Sequence, residues 1–380
     1  MTETLPPILE AFGPYGPVAD LHALADDVRL LWQLPMRYLH DAVEPARASQ
    51  QEPETPLDSS FAYVVNGTFN AAIRHEERAV GACIFVGVPL VAFRACRQIA
   101  SRMDLRTGLP LCDDAQRLVA FPSQLPLEPE WHGVHDPSAQ AMEELARFEA
   151  TAPSENRELA TFLFDIAMRY VTMHETMHFV LGHARFCQSE LGLDTFADVS
   201  DERRALDPVL SQTLEFIADR HTVAGLRTDL TDGRLYHEWC RDTPPEVTVE
   251  PDVWRRRVLV AALALVSKLW KGDASWQFAE FTHAYPHPYE RVAWMLSGLV
   301  EMSPPTARAD LQRCFALTLA TLERNFTSPL PYSGLMEDDL SALRVGGVSQ
   351  LDRSYEVVRA KAIEVQKVLY RTYGPYYPGV

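Results

Sequence analysis

Apolar residues recur at steps of three and four along much of the chain, the spacing of one face of a helix. The longest such stretch runs from Ser154 to His183, where Leu159, Phe162, Leu163, Ile166, Tyr170, His174, Met177, His178 and Leu181 fall on one stripe. Ser154 is the expected N-cap and Gly182 the expected stop. The same spacing predicts helices over 18–46, 89–103, 139–150, 207–224, 252–270, 288–300, 306–325 and 352–372. Asp207-Pro208 puts a capping residue before a proline at the first helical position, and Gly225 is expected to end that helix. Short β-like runs at Phe61 to Val65 and Phe69 to Arg74 precede an unbroken apolar run, Val80 to Val88, which reads as a buried strand. Asp41 to Ser60 and Phe121 to Ser138 are polar or proline-rich and read as surface connections. The pattern as a whole predicts an α+β fold, a small N-terminal β-sheet followed by a mostly helical body.

Composition narrows the function classes. The chain has 380 residues, 47% apolar and 23% charged, as an ordinary globular protein does. A net charge of -17 disfavours nucleic acid and anionic membranes as partners, since both are polyanions. The start is acidic and proline-rich, without the basic segment and apolar core of a signal peptide. The apolar runs Ala79 to Phe93 and Val258 to Val266 fall short of the roughly 20 residues of a membrane span. Six scattered cysteines with no CxxC pair are expected as free thiols in a reducing compartment. A cytoplasmic protein with no membrane span is therefore expected.

The candidate chemistry sits on the long helix, in the motif His174-Glu175-Thr176-Met177-His178. Two histidines one turn apart continue the buried stripe, so both imidazoles can point at one ion. Glu175 is rotated by about 100° from His174. That sets its carboxylate beside the ion, suited to take a proton from a water there. A HExxH match can arise by chance, but chance matches fall on any face, and this one falls on the core face of the longest predicted helix.

Zinc of this kind takes a third protein ligand. His183 lies nine residues after His174, about halfway round the helix, and is expected instead at the helix C-terminus, where a cation is favoured. Glu215 and Asp219, one turn apart on the helix after Pro208, fit better. Glu215 is the expected third ligand, and Asp219 the residue that orients a ligating histidine. The plain alternative is a solvated acidic face. His183 and His221 are next in line as ligands.

HETMHFVLGH followed by LEFIADRHTVAGL resembles the gluzincin metallopeptidases, in which HExxH is completed by a glutamate of an ExxxD helix. The likeness is greatest to the Oma-like and heat-shock membrane peptidases and to the Lit-type phage-exclusion peptidases. It covers about residues 154–300 and is specific only in its motifs; the membrane spans of some of those families have no counterpart here. The resemblance implies a zincin-like catalytic region over 136–300; the residue pattern, not the resemblance, sets an N-terminal α/β region with the small sheet, 1–135, before it and a C-terminal helical region, 301–380, after it. It also implies a histidine-proline element before a helix that begins with an arginine. The matching stretch is Thr282 to Arg291, and its register leaves His287, His283 and Tyr285 as alternative donors to an oxyanion. Arg291 is expected to anchor that turn on a carboxylate such as Asp219 or Glu290.

These readings converge on a Zn2+-dependent hydrolase, an endopeptidase acting on a peptide or protein substrate, with zinc on His174, His178 and Glu215 and with Glu175 as general base. Two alternatives stand beside it. One is a zinc hydrolase with a non-peptide substrate. The other is a regulatory or binding protein whose metal is structural or vestigial. An intact Glu175 argues against the second, because a structural ion needs no base.

Overall fold

The apolar run at Ala79–Phe85 becomes the central strand of a mixed sheet. Strand β1 is Asp58–Val64, β2 is Ala71–Glu76 and β3 is Ala79–Phe85. β3 pairs in parallel with β1 and antiparallel with β2. A strand hydrogen-bonded on both edges and covered on both faces needs apolar side chains at every position, and Val80 through Phe85 are all buried. Two residues, Phe196–Ala197 (β6), extend the sheet on the outer edge of β2 at Ala72 and Ile73. A separate two-stranded hairpin joins β4, Met103–Asp104, to β5, Leu109–Pro110.

The computed structural model describes residues 6–19, 33, 35–41, 58–64, 70–76, 79–110, 154–192, 196–197, 207–231, 246–269, 286, 288–325 and 347–373. The expected helix at 139–150, the connection at 121–138 and most of the expected helix at 18–46 lie outside these residues. Asp58–Ser60, expected in a connection, open β1 instead.

The described helices are α1, Pro7–Glu10; α2, Gly87–Ala100; α3, Ser154–Val180; α4, His183–Leu191; α5, Pro208–Thr231; α6, Pro251–Leu269; α7, Pro288–Glu301; α8, Arg308–Asn325; and α9, Gly347–Val368. This is a mostly helical body with a small sheet, an α+β arrangement. Among the described residues, no helix is long and apolar enough to cross a membrane.

α3 is the centre of the body. It packs against α2, α5 and α6 and lies along β2. Consequently it is buried all round, not on one stripe: nearly every side chain from Leu159 to Val180 is covered. Its threonines are accommodated in that setting by donating back to the preceding turn, Thr172 Oγ1 to Met168 O at 2.9 Å and Thr176 Oγ1 to Thr172 O at 2.8 Å. Near its middle, buried Asp165 accepts from Tyr38 and from Arg169 Nε at 3.0 Å. The Arg169 guanidinium lies 4.2 Å from the centre of the Tyr38 ring, which ties the helical turn at 35–41 to α3.

α5 begins as its sequence predicts. Asp207 accepts from the Leu210 N–H at 3.2 Å, and Pro208 fills the first helical position. It does not end at Gly225, however, but runs on to Thr231. A Cβ at Gly225 would stand 2.5 Å from Met173 Cε of α3, the far end of a flexible side chain. α5 is held from the other side by α7 and α9, with Phe216 edge-on to both Trp294 and Tyr355 at 5.8 Å.

Candidate metal centre

The crossing of α3 and α5 brings together the side chains that the two motifs single out. His174, His178 and Glu215 are all buried, and one ligand atom from each falls within 4.8 Å of the others. Nε2 of His174 lies 3.1 Å from Nε2 of His178 and 3.1 Å from Oε2 of Glu215, and Nε2 of His178 lies 3.4 Å from Oε1 of Glu215. A tetrahedral zinc with ligand atoms at about 2.0–2.1 Å sets those atoms roughly 3.3 Å apart. The two histidine nitrogens are spaced near that figure, the Glu215 carboxylate borders them through different oxygens, Oε2 toward His174 and Oε1 toward His178, and two imidazoles with one carboxylate are a donor set that zinc takes. The same donors do not by themselves select zinc over other divalent ions.

Asp219, one turn beyond Glu215, faces His174. Its Oδ1 accepts from His174 Nδ1 at 2.8 Å, which leaves Nε2 of that ring toward the ligand triangle. The carboxylate is a hub. Arg291 donates to it twice, through Nε to Oδ2 and Nη2 to Oδ1, both at 2.9 Å, and the Tyr170 hydroxyl donates to Oδ1. Arg291 stands in the first turn of α7, and its Nη2 is also 3.2 Å from Glu215 Oε2 and 3.1 Å from His174 Nε2. Tyr170 stacks near the His174 ring with centroids 5.9 Å apart. Its partnership with Asp219 has no local sequence signal, although a tyrosine on a buried stripe must find a partner for its hydroxyl.

Electrostatics follow this layout. For Asp219, burial opposes ionisation, but Arg291 and His174 outweigh it and hold the carboxyl below the usual carboxylate range. For His174, burial and Arg291 both favour the neutral ring, yet the Asp219 and Glu215 carboxylates together prevail and raise its pKa to about 9. Zinc on Nε2 requires the neutral imidazole. Apparent zinc affinity should therefore rise by about tenfold per pH unit from pH 6.5 toward 8.5, as the ion has less proton to displace. The metal-free protein should show the opposite trend. A group whose folded pKa is raised contributes its full stability below its unfolded pKa of about 6.5 and loses it as pH rises through about 9. Chelator-competition titrations and melting curves at matched pH values test both arms; a zinc affinity flat over that range would contradict the assignment.

Glu175 is 4% exposed and follows His174 on α3. The Cys83 thiol of β3 is pushed up first by burial and second by the Glu175 carboxylate, which places that carboxylate within electrostatic reach of the sheet. His183, expected at the end of α3, is elsewhere. Gly182, at φ +77°, breaks the helix after α3, and His183 opens α4, fully buried, with its Nδ1 2.9 Å from Nδ1 of His178. His221 is also away from the triangle, with Nε2 3.3 Å from the Tyr370 hydroxyl. His283, Tyr285 and His287 lie outside the described residues, while Pro286 just before α7 is buried.

Cysteines 83, 96 and 314 are buried free thiols, and Cys187 is buried as well. No family model, no curated protein and no solved structure matches this chain. The likeness to gluzincins thus rests on the two motifs and on the buried His174, His178 and Glu215 group that they build.

Proposed function

We propose that this protein is a zinc-dependent hydrolase, and specifically an endopeptidase of the gluzincin kind acting on peptide or protein substrates. One observation carries the reading: the Nε2 atoms of the two HExxH histidines lie 3.1 Å apart, and the ExxxD glutamate borders both, Oε2 at 3.1 Å from His174 and Oε1 at 3.4 Å from His178, with a further carboxylate, Glu175, next to His174 in the chain. Zinc held by His174, His178 and Glu215 supplies Lewis acidity, polarising a carbonyl and lowering the pKa of water toward neutrality.

The chain's own groups do the rest. Glu175 takes a proton from the attacking water and passes it to the leaving amine. Asp219, fixed by Arg291 and Tyr170, keeps the His174 ring turned. One of His287, His283 or Tyr285 donates to the oxyanion that forms on the substrate. The small sheet of β1, β2 and β3, along which α3 lies, would offer an edge to an extended peptide substrate.

The test is Glu175→Gln, which keeps size and polarity but removes the base. Zinc content should stay at wild-type level, while cleavage of a quenched-fluorescence peptide library falls by about 10²–10⁴-fold. Near-wild-type cleavage by this variant would overturn the mechanism.

A further inference from the structure

The two ligating histidines are supported differently. His174 has a carboxylate on its Nδ1, and that carboxylate is anchored by an arginine and a tyrosine. His178 has another imidazole: His183 Nδ1 at 2.9 Å, with ring centroids 5.1 Å apart and planes at 61°. We propose that His183 is a positioning residue, which fixes the tautomer and ring plane of His178 and so tunes the affinity of the site for its ion. The proposal rests on the metal reading of the His174, His178 and Glu215 group.

The argument is one of proton placement. Nε2 of His178 belongs to the ligand triangle, 3.1 Å from His174 Nε2 and 3.4 Å from Glu215 Oε1. A neutral imidazole that offers Nε2 to a metal carries its proton on Nδ1. The Nδ1–H of His178 then donates, and His183 must accept through Nδ1, which places the His183 proton on its Nε2. Each ring thereby has one allowed tautomer. The backbone enforces the pairing. Gly182 adopts a left-handed conformation that L side chains rarely take, and the helix break it permits brings residue 183 beside residue 178. A histidine continuing α3 would instead have pointed away.

His183 is fully buried, so solvent does not substitute for it as the acceptor. An accepting group is what the site needs there, not a charge. Asn keeps such a group, because its Oδ1 stands near the position of Nδ1 on the same Cβ; Phe keeps the ring shape and removes it.

The experiment compares wild type, His183→Asn and His183→Phe by zinc-chelator competition, with melting of each metal-free protein as a control for folding. Losing a group that orients a metal ligand costs about 10–100-fold in affinity. His183→Phe should weaken zinc binding by that factor and His183→Asn should recover most of it. In zinc-loaded wild type, ¹⁵N spectra should show His178 Nδ1 protonated and slow to exchange, a signal that Phe abolishes and Asn restores. Equal affinity in all three proteins would overturn the proposal, as would equal weakening in Asn and Phe with a common fall in metal-free melting temperature, which marks a packing role. If wild type itself binds no zinc, the metal reading fails and this inference falls with it.

Discussion

Replacing His174 and His178 together by alanine should take the protein from about one zinc ion per chain to none. The physical reason is that the two imidazoles are two of the three donors that can share one ion among the described residues. Among the described residues the group consists of these two histidines and Glu215, and Asp219 is already engaged by Arg291, Tyr170 and His174. A lone buried carboxylate cannot compete with water for the ion. Metal analysis of gel-filtered protein, with circular dichroism to check that the helices persist, measures the outcome. Undiminished zinc in the double variant would place the metal elsewhere in the chain and remove the basis of the proposed activity.

The second large effect concerns stability. Arg291 is 3% exposed and faces two carboxylates, Asp219 at 1% and Glu215 at 0%. Its own pKa is lowered by burial but raised more by those carboxylates, so the guanidinium stays charged throughout. Arg291→Met keeps much of the volume and leaves both acids buried without their cation. Removing one partner of a buried pair costs about 3–5 kcal/mol, which for a chain of this size corresponds to a melting temperature lower by roughly 4–6 °C. Added zinc should restore part of the loss, because the ion brings positive charge to the same place. The pH dependence has a definite sign. Asp219 is held below its unfolded value, so its contribution is present above about pH 4 and is lost on acidification. Arg291→Met should flatten that acid limb. A variant that melts with wild type, with and without zinc, would show that the pair contributes nothing net.

The meeting of His174, His178 and Glu215 was legible because helical geometry turns spacing into direction. His174 and His178, and Glu215 and Asp219, are each one turn apart, and an apolar stripe says which way that turn faces. What spacing cannot report is where a helix stops. Reading α3 on to residue 183 put His183 on the far side of the helix, whereas the helix breaks at the left-handed Gly182 and His183 sits beside His178. Gly225 misled in the opposite sense. It looks like a terminator, but a glycine inside a packed helix costs little beside the burial of that helix, and α5 continues past it. Tyr170 reads as one more apolar position, since its partner Asp219 lies far along the sequence. β4, β5 and β6 are two residues each, too short for any alternation to show.

The two histidine ligands come from one helix and the glutamate from another, with α4, β6 and residues 198–206 between them in the chain. An ion in that position is therefore a rivet as well as a reagent. It fastens two stretches of polypeptide that the backbone joins only by a detour, as a crosslink would. If a protease were to cut that detour, the metal would still tie the two fragments together, in addition to the packing of α3 on α5 and α6, and a chelator would remove that tie alone.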